Sequence, residues 1–208
     1  MRNSLIVIGF FLLGCIIGLS AMLPVWFING KFGSYALYAL LFFVGVGIGC
    51  DKELKNIFKN FSPRLLLVPI ATIIGSLIFS ALTALILTQW DIAECLAVGS
   101  GFAYYSLSSI LITELKEAEL GIALATELGT IALMANIIRE VITLVATPLI
   151  VKRFGPLAPI CAGGATTADT TFPIISQNCG SEFFVIAIVH GILGDMSVPF
   201  LVTFFCSL

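Results

Sequence analysis

Asp169 is a carboxylate in a place where a carboxylate is expensive. It sits in C-A-G-G-A-T-T-A-D-T-T-F-P-I-I-S-Q-N-C-G (161–180), among small and hydroxylated residues, with apolar runs on both sides and Pro173 close behind. An unpaired charge in hydrocarbon is costly however the cost is measured, so the stretch is either a loop in water or a working site inside a membrane protein. The paired glycines 163 and 164, the threonines and Pro173 all weaken a regular helix. Broken backbone is tolerated at membrane depth only where it faces protein or a water-filled cavity. The favoured reading is a buried transport site. The plainer one is an aspartate that caps a short helix or closes a turn.

Further candidates lie nearby in sequence. Glu127, Arg139 and Glu140 interrupt the mostly apolar run 120–151. On a helix Arg139 and Glu140 are about 100° apart, and Glu127 and Glu140 about 140°, so the three do not line one narrow face. One carboxylate is expected to face a cavity and Arg139 to neutralise a carboxylate from another helix; an interfacial Arg–Glu pair is the alternative. His190 and Asp195 partly share a face, which suits either a proton relay or a structural hydrogen bond from the histidine. The hydroxyls of Tyr104, Tyr105, Ser106, Ser108, Thr166, Thr167, Thr170 and Thr171 suit an amino-acid head group or water, although Ser and Thr also bond back to their own helix.

These groups point to one kind of chemistry. A carboxylate withdrawn from water has its charged form disfavoured, and a cation beside it restores that form. Cation and proton therefore compete for one site, which is the minimum machinery of a proton antiporter. An ammonium-bearing solute would meet Asp169 and Glu140, and backbone N–H groups of broken helices would hold its carboxylate.

The elements that must position these residues are membrane helices. The 208 residues are 59% hydrophobic, with ten basic and twelve acidic side chains and a mean hydropathy of +1.12. A soluble domain carries about a quarter charged residues, so the chain reads as an all-α polytopic membrane protein with about 6–7 membrane segments, some discontinuous or re-entrant. It is expected to form a single transport domain over 1–208, with three N-terminal helices in 1–90 and a motif-bearing core in 91–208. Crossings are expected at 5–23, 32–50 and 65–90, with Trp90 at an interface, and the first run reads as a helix rather than a cleaved signal. Lys52, Lys55, Lys59 and Arg64 mark a cytoplasmic loop, placing the N-terminus inside and Asp91 outside. Lys152 and Arg153 mark a second cytoplasmic end. Between Asp91 and Lys152 an odd number of crossings is required, which a re-entrant hairpin plus one long helix satisfies, as do three crossings. The last crossing, 183–208, reads as interrupted at Gly191, Gly194, Asp195 and Pro199.

Other function classes fit poorly. No basic patch interleaved with aromatics suggests nucleic acid. The six cysteines are dispersed without C-x-x-C spacing and read as small buried hydrophobes, not as metal ligands. No cofactor and no bond-breaking catalysis is expected. An intramembrane aspartyl enzyme using Asp169 and Asp195 would lack the Y-D and G-x-G-D contexts that such proteases carry.

Four stretches carry a resemblance: G-S-G-F-A-Y-Y-S-L-S-S-I-L-I-T-E (99–114), I-I-R-E (137–140), F-G-P-L-A-P-I-C-A-G-G-A-T-T-A-D-T-T-F-P (154–173) and I-V-H-G (188–191). They closely resemble the LysO-type lysine exporters of bacterial inner membranes, over nearly the whole chain. The resemblance implies export of L-lysine, and of toxic analogues of it, driven by cation exchange that involves protons. The acidic residues important in that family carry over to Glu140 and Asp169. Longer members have a further hydrophobic N-terminal region with another acidic residue, and a small hydrophobic partner subunit or a homodimer is one way to supply it. An exporter of another small amino acid or cation, or a non-catalytic subunit of a two-component transporter, is the alternative.

Overall fold

The computed structural model describes residues 63–208, together with positions 13, 16, 17, 35 and 46. The expected crossings at 5–23 and 32–50, nearly all of the basic segment 51–64 and the N-terminal orientation lie outside the described residues. Of the two units into which the chain divides, Met1–Cys50 and Asp51–Leu208, the second holds every element named below.

The described residues form helices and turns, with no strand among them. A 3-10 turn, Pro63–Leu66, leads into α1 (Leu67–Thr83). α1 stops at Thr83 and residues 84–90 form turns, so the expected 65–90 crossing is shorter than its apolar run. Trp90 is buried against protein. α2 (Ile92–Gly99) starts at Asp91, whose N–H donates to the Glu94 carboxylate at 2.8 Å. That is one half of a capping box, and it ties the entry of α2 to its own first turn.

α3 (Tyr105–Phe154) is two arms, 105–120 and 122–154, joined at Gly121 with φ 79° and ψ 161°. This backbone region belongs essentially to glycine. The arms run antiparallel: a Cβ added at Gly129 would meet Thr113 and the carbonyl of Ser109, and Asn136 reaches Ser108. α2 lies along the same stretch of the long arm, since Cys95, Val98 and Gly99 line one cavity with Leu128, Ile131, Ala135 and Asn136. α2 and 105–120 are therefore the two sides of one helical hairpin. Its tip is residues 100–104, where Phe102 and Ala103 take positive φ of 42° and 73°.

A second hairpin follows. α4 (Leu157–Gly163), a 3-10 turn (Gly164–Ala168) and α5 (Phe172–Cys179) fold back on one another, with Ile160, Ile175 and Cys179 in one buried cluster with Ala187. Pro173 falls in the first turn of α5, where a missing N–H costs nothing. α6 (Phe184–Cys206) then runs past both hairpins. It is continuous, which corrects the expected interruption. Gly191 and Gly194 act as contact points: an added Cβ at Gly191 would lie 2.4 Å from the backbone N of Ala168, and one at Gly194 3.1 Å from Ala165 Cα. Pro199 stays inside the helix and has no N–H to give the carbonyl of Asp195 one turn earlier.

Tyr105–Phe154 and Phe184–Cys206 are the two helices among the described residues long and apolar enough to cross a membrane. The first hairpin lies along 127–136 of the long arm, the second along 139–151, so the tips approach each other from opposite ends of it.

Candidate functional site

The two tips meet. The Ala165 N–H donates to the Phe102 carbonyl at 2.8 Å, and the backbone is so close there that a Cβ on Gly164 would sit 2.2 Å from the same oxygen. Gly164 has φ 61° and no side chain, and both features are needed at this crossing. The glycine- and hydroxyl-rich stretches around 99–109 and 163–173 are thus one place in the fold.

Asp169 closes the 3-10 turn with φ −134° and ψ −89°, outside the helical region. Its carboxylate accepts from the Thr170 N–H. The expectation was a buried carboxylate, but the side chain is exposed on the surface of the described residues. The threonines explain this. Thr166 and Thr167 turn inward to the carbonyls of Gly163 and Gly164 at 2.8 and 2.9 Å, Thr166 also meets Thr171 at 3.2 Å, and Thr167 bonds Ala187 O on α6. With its neighbours pinned inside, the turn aims Asp169 outward.

Around Asp169 the charges gather. Tyr104 is within electrostatic reach of both Asp195 and Asp169, Tyr105 of Glu140 and Asp169, and Asp195 of Asp169. Asp195 is half-buried on α6, and Glu140, 4% exposed, lies one residue beyond Arg139 on the long arm. The site therefore draws Tyr104 from the first tip and Tyr105 from the start of α3, Asp169 from the second tip, Glu140 from the long arm and Asp195 from α6. Thr170 and the half-buried Ser106 flank it.

Other sequence candidates have different places. Glu127 is exposed and accepts from Gln89 Nε2 at 3.4 Å, far along the long arm from Glu140. The buried hydroxyls of Thr166 and Thr167 are consumed in holding the turn. His190, 2% exposed, is bound at both nitrogens: Nδ1 faces Gly164 O at 3.1 Å and Thr167 Oγ1 at 3.3 Å, and Nε2 faces Thr72 Oγ1 at 2.9 Å. A carbonyl can only accept, so Nδ1 carries a proton toward Gly164, while Thr72, whose hydroxyl donates to Val68 O at 3.0 Å, lies against Nε2. The histidine ties α1 and α6 to the second tip in place of relaying to Asp195.

Arg139 likewise meets no carboxylate among the described ion pairs. Its Nε donates to Ala162 O at 2.8 Å and Nη2 to Cys161 O at 2.9 Å, while its guanidinium carbon lies 5.9 Å from the centre of the Phe102 ring. Asn136, one turn earlier, accepts from the Ala103 N–H at 2.7 Å. The sequence reading passed over Asn136, although a lone carboxamide in A-L-M-A-N-I-I-R-E was a visible signal. No group of three or more His, Cys, Asp or Glu among the described residues could hold a metal ion.

Comparison with known proteins adds a family. The family model described as Lysine exporter LysO matches residues 8–206. The chain is 33% identical over 207 residues to Lysine exporter LysO of Escherichia coli, covering 99% of this chain and 64% of that protein. It is 35% identical over 182 residues to a putative lysine exporter of Haemophilus influenzae, covering 87% of each. It thus spans less than two thirds of the length of the Escherichia coli protein. No solved structure matches it.

Proposed function

The chain belongs to the lysine exporter LysO family, and from that premise we propose that it exports L-lysine, or a closely related cationic amino acid, across the bacterial cytoplasmic membrane in exchange for protons. The observation that carries this reading is the meeting of two broken-helix tips beside Asp169, with Asp195, Glu140 and two tyrosines within electrostatic reach.

In this reading the ammonium of the substrate is taken by Asp169 with Asp195, and Glu140 completes the negative field from behind Tyr105. The tyrosine rings give a cation an aromatic face. A proton arriving at a carboxylate displaces the ammonium, and a departing one readmits it. Export of one positive charge opposes an inside-negative potential worth about 2.3 kcal/mol per 100 mV, and inward movement of one proton removes that electrical cost.

Each hairpin enters from its own side of the membrane in this account, the first from the outer face and the second from the cytoplasmic face, with the long arm and α6 crossing between them. Together with α1 and the helices expected before it, the hairpins bring the total to the expected six or seven segments. A small hydrophobic partner or a second copy of the chain is proposed to complete the unit.

Counterflow of labelled lysine in proteoliposomes tests the proposal, with the chain alone and with a co-expressed small membrane partner. Arginine and ornithine are expected to compete and neutral amino acids to compete poorly. Flux no faster than in protein-free liposomes under both conditions rules out lysine export. Flux indifferent to an imposed pH gradient rules out proton coupling while leaving export standing.

A further inference from the structure

Asn136 and Arg139 stand one helical turn apart on the long arm of α3, and each holds a different tip. Asn136 Oδ1 takes the N–H of Ala103, a residue at positive φ whose amide no helix can satisfy, and its Nδ2 is anchored by the Ala132 carbonyl at 2.8 Å. Arg139 takes the carbonyls of Cys161 and Ala162, the last turn of α4, where helical carbonyls lack donors and the dipole favours a cation. The same guanidinium lies against Phe102 of the opposite tip and reaches Ser76 of α1 at 3.4 Å.

We infer that Asn136 and Arg139 are a positioning pair: a bracket on one rigid helix that sets both tips, and so the spacing of Tyr104 and Asp169, without either residue touching the transported solute. The packing is built around it. A Cβ at Gly101 would lie 2.2 Å from Asn136 Nδ2, so glycine is what lets the carboxamide reach the first tip. The planar fork of Arg139 spans two successive carbonyls, which the single ammonium of a lysine does not reproduce. Its effect on export rests on the function proposed above; its effect on the tips does not.

The test reads the tips without substrate. Amide hydrogen exchange of the chain in lipid nanodiscs is followed by mass spectrometry over peptides covering 100–106 and 161–168. Asn136→Leu is expected to speed exchange in 100–106 by about tenfold or more, and Gly101→Ala to reproduce it, with other helices unchanged. Asn136→Asp keeps the acceptor and is expected to restore protection. Arg139→Gln is expected to act on 161–168, with Arg139→Lys between it and the parent. In lysine counterflow, Arg139→Lys should lower the maximal rate and leave half-saturation within about twofold, the pattern of a lost positioning contact. Exchange unchanged at both tips, or raised evenly over the molecule, overturns the bracket. A half-saturation raised about tenfold at unchanged maximal rate overturns it too, because Arg139 then binds the solute. Local exchange as expected with no lysine flux in any variant or in the parent upholds the bracket and removes the substrate.

Discussion

Single side chains divide into those that face outward at the meeting of the two tips and those spent on architecture. Asp169 belongs to the first group: the threonines beside it are turned inward and it alone of that turn is left to face out as a charge. Asp169→Asn keeps size and hydrogen bonding but removes the charge, and counterflow is expected to fall by about tenfold to a hundredfold, the scale of an interaction with a charged group. Parental flux from this variant would remove Asp169 from the mechanism. His190 belongs to the second group. His190→Phe loses the contacts to Gly164, Thr167 and Thr72, each of which keeps another partner, so the cost is that of the hydrogen bonds lost, about 0.5–1.5 kcal/mol each. Thermal unfolding in detergent should therefore move down by several degrees, whereas Thr72→Val, which spares the tip, should cost less. The unusual residues were legible in sequence because a carboxylate, a guanidinium or a histidine in an apolar run is conspicuous. Their roles were not, since direction of a side chain depends on partners as distant as Thr72 from His190 or Ala162 from Arg139.

Elements were legible where composition changed and hidden where it did not. The two breaks declared themselves through G-S-G-F-A-Y-Y-S and A-G-G-A-T-T-A-D. The reversal at Gly121 falls where the acidic cluster 114–119 gives way to the apolar run 120–151, although the charges could not choose between a hairpin with one long helix and three crossings. In α6 the glycines misled: Gly191 and Gly194 looked like breakers and are contact faces for Ala168 and Ala165. The glycines at 121 and 164 separate conformational from steric demand. A Cβ at Gly121 meets nothing within 4 Å, so Gly121→Ala costs only its backbone strain at φ 79°, about 1–3 kcal/mol. It should lower the unfolding temperature while leaving exchange at both tips and the half-saturation for lysine near parental. Gly164→Ala drives a carbon into the Phe102 carbonyl. It should part the tips and abolish flux even where the protein is recovered folded, and a folded, fully active Gly164→Ala would show that tip contact is dispensable.

At the scale of the molecule the question is which side each hairpin opens to. The two occupy successive lengths of one continuous arm, the first beside Glu127 to Asn136 and the second beside Arg139 to Val151. Hydropathy could not reveal this, because a short helix that enters and returns has the same composition as one that crosses. The basic pair Lys152 and Arg153 closes the arm at the base of the second hairpin, and the proposed orientation puts that base on the cytoplasmic side, where basic residues are favoured. At 33 residues and 1.5 Å per residue the arm is about 50 Å long, enough to pass the hydrocarbon with tilt and set the bases on opposite faces. Single cysteines replacing the exposed Glu117 and Gln177, one at each base, are expected to react with an impermeant thiol reagent from opposite sides in a cysteine-free background, Glu117→Cys from outside and Gln177→Cys only after the cell is opened. Labelling of both from one side would make the hairpins neighbours on one face. A single carboxylate at their junction could then not be offered first to the cytoplasm and then to the exterior, which exchange of a cation for a proton requires.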